Sequence, residues 1–197
     1  MSTEFITKLR EMTGAGIMDC RNALKESSND IDKACQWLRE KGIASAVKKA
    51  GRSAKQGLVY SYIHGNGTLG VLVEVNCETD FVAKTEDFQN LVKEIAMQIA
   101  AVAPIYVSRD QVPTSILEAE KEIYKANLKE EGKHEKVWDK IIEGKIEKFY
   151  SQVCLYDQLY MRDASGKETI KDLVTNIIAK IGENIVIKRF ARFKLGE

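Results

Sequence analysis

The sequence predicts an α+β fold, with a small helical module ahead of a core made of an antiparallel sheet and packed helices. Three observations support this prediction. Apolar residues recur at helical spacing through residue 42, alternate with a period of two from Gly57, and return to helical spacing from Phe88. Helices and strands do not alternate regularly, which disfavours a parallel βαβ sheet. A chain of 197 residues is long enough for one large domain or two small ones.

Residues 1–42 are predicted to form three short helices. The first ends at the turn Thr13–Gly16, residues Ser27–Asp30 supply the cap of the third, and Gly42 is predicted to end it. The apolar face consists of Ile6, Leu9, Ile17, Cys20, Ala23, Leu24, Ile31, Ala34, Cys35 and Leu38. A unit this small has a thin core, which is typical of a recognition module.

Residues 43–56 are predicted to be a basic linker or a short helix. A cationic run of this kind either contacts RNA phosphates or is simply solvated, and the solvated linker is the commoner case. Residues 1–56 carry 11 basic and 7 acidic side chains, whereas residues 57–112 carry 3 and 7. This reversal disfavours one continuous nucleic-acid surface and is compatible with a protein partner that meets the two parts differently.

Residues 57–197 are predicted to form the core domain. Two strands joined by the turn Gly65–Thr68 come first, then a helix, and Ile105–Val107 is predicted as a further strand. Leu155–Met161 is predicted to be extended. After another helix, Ile185–Leu195 is predicted as a strand whose basic face meets solvent or an acidic partner; that face carries Lys188, Arg192 and Lys194.

Residues 114–150 are predicted to form a projecting antiparallel helical hairpin. A narrow apolar seam runs along both halves, and Gly132 separates them. The remaining positions carry charges of both signs, 8 basic and 9 acidic over residues 113–150. The hairpin is either a dimer or partner surface or a solvated arm, and the sequence leaves both interpretations open.

The composition predicts a soluble protein of the cytoplasm. No run approaches the roughly 20 apolar residues that a membrane span requires, and Met1–Arg10 is polar, unlike a signal or transit peptide. Scattered cysteines and two histidines have no zinc-site spacing, so we expect reduced thiols and no metal or cofactor; the cysteines are Cys20, Cys35, Cys77 and Cys154.

The stretch Glu74–Lys84 crosses from the end of a strand into a new helix, and it places an acidic residue beside a large aromatic one. Two interpretations are open for Thr79–Val82. Either Asp80 caps the helix and Phe81 packs into the core, or the tip presents both side chains to a partner. The local pattern alone favours cap and core.

Two stretches together resemble the signatures of the elongation factor Ts family. Leu9–Leu24 resembles the N-terminal signature, and Glu74–Lys84 resembles the second one at every position. The resemblance implies that a ubiquitin-associated-like module docks on the GTPase domain of elongation factor Tu. The implied contact residues in that module are Arg10, Gly16, Ile17, Met18 and Arg21.

The same resemblance implies a role for Thr79–Val82, which is to disturb the magnesium site of elongation factor Tu. Phe81 would wedge between helices of the GTPase domain, and Asp80 would displace the groups that hold the ion. We therefore expect Phe81 to be exposed in the free protein. Nucleotide exchange makes and breaks no bond, so the implied protein is not an enzyme, and it binds both the GDP-bound and the nucleotide-free partner.

Three departures from the family pattern bear on this expectation. Arg21 stands where lysine is usual, which preserves the charge but changes its geometry. The stretch Ile105–Val112 is too short for the second core copy of longer members, and no C-terminal module follows Glu197. These features suggest a short form, for which we expect a homodimer formed through the sheet edge or the helical hairpin.

Two other classes of function compete with exchange. A protein-binding adaptor shares the architecture but gives Asp80 and Phe81 no role. A ribosome- or RNA-associated protein would use the basic linker and the terminal strand, and its RNA binding would depend steeply on salt; the resemblance implies no direct contact with nucleic acid. A metabolic enzyme is disfavoured because no clustered acid–base pair, nucleophile or ligand set is evident.

Overall fold

The computed structural model describes residues 3–197 and confirms the α+β class. In chain order the elements are α1 (Thr3–Thr13), α2 (Ile17–Glu26), α3 (Ile31–Lys49), β1 (Gln56–His64), β2 (Leu69–Cys77), α4 (Asp80–Ala83), α5 (Glu86–Val102), α6 (Thr114–Glu130), α7 (Trp138–Val153), α8 (Ile170–Ile181) and β3 (Val186–Lys194). Single 3₁₀ turns lie at Arg109–Gln111, Glu135–Val137 and Leu155–Asp157. No helix within residues 3–197 is both long and apolar enough to cross a bilayer.

The chain divides into two compact units. The first contains the described chain up to Tyr60 together with Val73–Glu94 and Asp172–Lys188. The second contains Ser61–Leu72, Ile95–Lys171 and Arg189–Glu197.

Helices α1 to α3 pack in the first unit as predicted. Their shared core is completely buried and consists of Leu9, Cys20, Ala23, Leu24 and Ala34. Helix α3 begins at a side-chain cap, because a carboxylate oxygen of Asp30 accepts a hydrogen bond from the backbone N–H of Lys33 at 3.0 Å.

The prediction that Gly42 ends the third helix is wrong, since α3 continues through it to Lys49. Gly42 is buried, and a Cβ atom at this position would lie 3.3 Å from the Cβ of Ala179 on α8. The glycine therefore allows α3 and α8 to approach closely rather than ending α3. Residues 43–49 are consequently helical, and the division of the chain into domains at residue 42 stays a prediction.

The three strands form one antiparallel sheet in the order β1–β2–β3. The alternation predicted for β2 is confirmed: Val71, Val73 and Val75 are buried, whereas Leu72 is about half exposed. The predicted turn between β1 and β2 is also present, and its two glycines, Gly65 and Gly67, have φ values of +59° and +85°.

The helical hairpin of the second unit is confirmed in α6 and α7. Its seam buries Leu128, Ile142 and Ile146, and the residues packed against them are Tyr124, Trp138, Ile141 and Tyr150. The indole N–H of Trp138 donates to the carbonyl oxygen of Lys133 at 2.9 Å, which holds the ring at the start of α7. A narrow apolar seam is therefore sufficient to pair the two helices.

The segments that flank the hairpin differ from the prediction. Ile105–Val107 is not a strand of the sheet, since Tyr106 makes only an isolated parallel bridge with Cys154. Leu155–Met161 is not extended throughout, because a 3₁₀ turn occupies Leu155–Asp157. Both segments serve to close the base of the hairpin.

The prediction for the terminal strand is wrong at Arg192. Lys188 and Lys194 are exposed, but only 13% of the Arg192 side chain is exposed. Its Nε donates to the carbonyl oxygen of Ala100 at 3.3 Å, and its Nη1 pairs with Glu197 at 2.6 Å. A long side chain can bury its aliphatic stem while its charged end finds partners, so residues that share a strand face need not be equally exposed.

Candidate functional site

The stretch Thr79–Val82, called the tip below, forms the beginning of α4 directly after β2. Thr79 is the N-cap of α4, and its hydroxyl oxygen accepts a hydrogen bond from the backbone N–H of Val82 at 3.4 Å. Asp80 is the first residue of α4 and not its cap, so the cap-and-core interpretation of this stretch is wrong for Asp80.

Phe81 is 77% exposed, which confirms the expectation that its ring faces outward in the free protein. Its neighbours hold the tip in place, because Ala83 and Cys77 are buried and Val82 is half-buried. A single exposed apolar side chain is ordinary on a protein surface. An exposed aromatic ring on an anchored turn, however, retains most of its apolar area for contact with a partner.

Asp80 lies beside Lys84, with 2.7 Å between the carboxylate Oδ2 and the ammonium Nζ. That hydrogen bond lowers the pKa of Asp80, so this residue is a carboxylate at neutral pH. The same ammonium lies 5.9 Å from the centre of the Phe81 ring. Exposed ion pairs are weak, so a partner can separate Lys84 from the tip at little cost.

Glu183, which lies between α8 and β3, holds the tip from behind. One carboxylate oxygen accepts hydrogen bonds from the backbone N–H groups of Glu78 at 3.1 Å and Thr79 at 3.0 Å. The other accepts from the Thr79 hydroxyl at 2.7 Å. This residue is not predicted from the sequence because 104 positions separate it from Thr79; the only available signal is the polar stretch Gly182–Asn184 between two apolar runs.

The five predicted contact residues of the N-terminal module are all exposed; they are Arg10, Gly16, Ile17, Met18 and Arg21. Ile17 and Met18 open α2 and are 56% and 62% exposed, because the buried face of that helix is formed by later positions. Arg10 and Ile17 line one shallow groove together with Ile6. Met12, a further apolar side chain of α1, is 57% exposed but does not line this groove.

The side chains at the tip can bind a partner through apolar contact and through charge. Within residues 3–197 no three His, Cys, Asp or Glu side chains come together as a possible metal site. Burial raises the pKa of the nearby Cys77 to about 11, so its sulfur is a protonated thiol that donates to the carbonyl oxygen of Thr79 at 3.1 Å. What the tip can offer a partner is an apolar ring and a fixed negative charge.

Comparison with known proteins places the whole chain beside one set of relatives. The family model described as "Elongation factor TS" matches residues 7–167. The chain is 59% identical over 197 residues to elongation factor Ts of Caldanaerobacter subterraneus, covering 100% of this chain and 98% of that relative. It is 53% identical over its full length to the elongation factors Ts of Thermotoga neapolitana and Desulforamulus reducens, of which it covers 98% and 90%.

Proposed function

The chain belongs to the elongation factor Ts family of translation elongation factors, and from this premise we propose that it promotes the release of GDP from elongation factor Tu. The observation that carries the proposal is the exposed Phe81 ring beside the Asp80 carboxylate on an anchored turn. Both stand within the signature-like stretch Glu74–Lys84.

The proposed mechanism acts on the groups that hold the nucleotide. GDP in a GTPase is held largely through its charged oxygens, by Mg²⁺ and by phosphate-loop amides. Burying the Phe81 ring between helices of the GTPase domain supplies binding free energy for a distortion there. The Asp80 carboxylate is repelled by phosphate and competes for the groups around the ion, so the base of the nucleotide need not be touched.

The direction of the effect follows from linkage. A factor that binds nucleotide-free elongation factor Tu more tightly than the GDP-bound form lowers the affinity for GDP by the same ratio. No covalent bond changes during this exchange, so the protein is proposed to be a binding factor and not an enzyme. Its place of action is then the cytoplasm, where its partner works in translation.

The N-terminal module is proposed to dock on the GTPase domain. Exposed Ile17 and Met18 offer apolar contact, and Arg10 and Arg21 offer flanking positive charge. Gly16 precedes α2 in an extended conformation, so no side chain stands in front of the helix start. Arginine at position 21 retains the charge of the more usual lysine and can form two parallel hydrogen bonds with a carboxylate.

A homodimer is proposed as the form in solution. In the second unit the sheet exposes Ile63, Leu72 and Phe193, which are 64%, 48% and 73% exposed. The Ile63 side chain lies close to Gly70, where a Cβ atom would be 3.2 Å from its Cδ1. A monomeric mass by light scattering at micromolar concentration would contradict the dimer, whereas Leu72→Lys is expected to produce that mass from a dimeric wild type.

Release of a fluorescent GDP analogue from elongation factor Tu tests the proposed function. Wild-type protein is expected to accelerate release, and the Asp80→Ala/Phe81→Ala double variant is expected to lose most of the acceleration. Ile105→Ala is a matched control, since it removes an apolar side chain that is 64% exposed in the second unit. Binding without acceleration by the wild type would indicate an adaptor instead.

A further inference from the structure

We propose that Glu78, Glu183 and Asn184 are positioning residues for the tip, and that they couple its orientation to the chain leaving α3. This inference rests on the proposed function, because it explains how the surfaces of the N-terminal module and the tip act together. It concerns side chains of the first unit that need not contact the partner.

Two connections of the chain hold each other through reciprocal hydrogen bonds. The Glu183 carboxylate accepts from the backbone N–H groups of Glu78 and Thr79 and from the Thr79 hydroxyl. In return, the Glu78 carboxylate accepts from the backbone N–H of Asn184 at 2.6 Å. Hydrogen bonds to a charged acceptor are stronger than neutral ones, and here four of them join the β2–α4 and α8–β3 connections. We call this arrangement the carboxylate clamp.

The clamp reaches Phe81 through the Thr79 hydroxyl. This group donates to Glu183 at 2.7 Å and accepts from the backbone N–H of Val82 at 3.4 Å, so both of its bonding roles are used. Helix α4 has only four residues, and a helix this short has little stability of its own. The direction in which Phe81 projects therefore depends on the Thr79 cap, and the cap depends on Glu183.

Asn184 extends the clamp to the end of α3. Its side-chain amide donates to the carbonyl oxygens of Arg52 at 2.9 Å and Ala50 at 3.4 Å, and the residue is only 3% exposed. The Arg52 guanidinium in addition lies 3.5 Å from a Glu78 carboxylate oxygen. The segment that leaves the N-terminal module is thus fastened to the same groups that hold the tip, which provides a contiguous path for coupling.

The kinetic test compares Glu183→Ala with wild type at saturating concentration in the GDP-release assay. We expect the rate of release to fall about tenfold, as for the loss of hydrogen bonds to a charged group. Glu183→Gln retains one acceptor oxygen and is expected to recover part of the rate. Glu147→Ala, which removes an ion-paired carboxylate in the second unit, is the matched control and is expected to retain the wild-type rate.

If Glu183 acts through the tip, the effects of the Glu183 and tip substitutions on the rate of GDP release will not add. A general structural role for Glu183 predicts that they add. In the Asp80→Ala/Phe81→Ala background, Glu183→Ala is expected to cause no further loss of rate. An equal fold-loss in both backgrounds would overturn the inference. If Glu183→Ala fails to fold, the pair Thr79→Ser and Thr79→Val gives the same test, since serine retains the hydroxyl and valine lacks it.

Fluorine NMR of 4-fluorophenylalanine at position 81 tests the clamp without the partner. We expect one sharp signal in the wild type and a shifted or broadened signal in Glu183→Ala. Asn184→Asp, which keeps the shape but loses the amide donor to the carbonyls of Ala50 and Arg52, is expected to move the signal in the same way. Unchanged signals in both variants would overturn the inference. Absence of exchange by the wild type would refute the proposed function alone.

Discussion

Replacing Phe81 with alanine tests the separation between folding and function that the structure implies at this residue. Complete burial of a phenylalanine side chain is worth about 1.5–3 kcal/mol relative to exposure. Because 77% of Phe81 is exposed in the free protein, most of that free energy remains available for binding. We therefore expect Phe81→Ala to cost about 1–2 kcal/mol in the complex, which corresponds to a five- to thirtyfold loss of exchange efficiency at roughly 1.4 kcal/mol per tenfold.

The same substitution is expected to leave the free protein almost as stable as before. A surface substitution away from caps and networks changes the free energy of unfolding by no more than about 0.5 kcal/mol. Urea denaturation measures that free energy, and stopped-flow release of fluorescent GDP at subsaturating factor measures the exchange efficiency. Phe81→Leu retains part of the apolar area and is expected to fall between wild type and alanine.

Two results would refute this reasoning. A fall of about 3–5 kcal/mol in the free energy of unfolding of Phe81→Ala, the range for truncating a buried phenylalanine, would show that the ring packs in the folded protein. Unchanged exchange efficiency would show that the ring makes no productive contact with the partner. Ile105→Ala controls for the loss of exposed apolar area as such.

Three further predictions concern the scaffold. Gly42→Leu is expected to destabilise by about 1–3 kcal/mol in urea denaturation, because its side chain must fit where a Cβ already meets Ala179 at 3.3 Å. Gly57→Ala is expected to cost more than about 2 kcal/mol and to lower the Tm by at least 4 °C, because its Cβ would lie 2.1 Å from the Val75 carbonyl oxygen at a φ of +139°. Hydrogen bonds from the Ser165 side chain and nearby backbone N–H groups hold the pKa of Asp163 well below its ordinary value of 3.8, so we expect its loop to lose amide protection as the pH falls below that value.

Each of these predictions has an outcome that would contradict it. Gly42→Ala adds only the Cβ at 3.3 Å and gains about 1 kcal/mol of helix propensity, so it is expected to be nearly neutral, and a loss as large as that of leucine would show that the Cβ alone cannot be accommodated. A wild-type Tm for Gly57→Ala would mean that β1 can move away from β2 without cost. Because the pKa of Asp163 is lower in the folded protein, its carboxylate stabilises the loop fully above pH 3.8, and this stabilisation is lost as the pH falls further. If Asp163→Asn shows the same pH dependence of amide protection as the wild type, the prediction is refuted.

Periodicity was sufficient to predict the fold class but not where each element ends. The change from helical spacing to alternation located the sheet, and the seam of α6 and α7 located the hairpin. Gly42 was misinterpreted because a glycine at a helix end and a glycine at a helix–helix contact look alike in sequence. Arg192 was misassigned because a period of two records which side a residue faces, not how far its stem is buried.

The candidate site shows a different limit of sequence reasoning. Local pattern favoured a buried Phe81, and only the family resemblance predicted the exposed ring that the structure contains. The only local signal for Glu183 is its place in a polar stretch between two apolar runs, and its role cannot be predicted from that stretch because it depends on backbone groups more than 100 residues away. Hydrogen bonds between distant connections depend on the complete fold, so they become visible only in the structure.

The base of the α6–α7 hairpin makes this element transplantable. The chain enters and leaves at one point, where the backbone N–H of Ile105 donates to Val153 at 2.9 Å and that of Leu155 donates to Tyr106 at 2.9 Å. Arg109 fastens the same point by reaching Glu147 and Asp157 with its guanidinium. A helical pair of another length, or from another protein, can replace the outer part of the hairpin, because these contacts at the base keep the two chain ends in place. The hairpin is thus suited to redesign for a new partner.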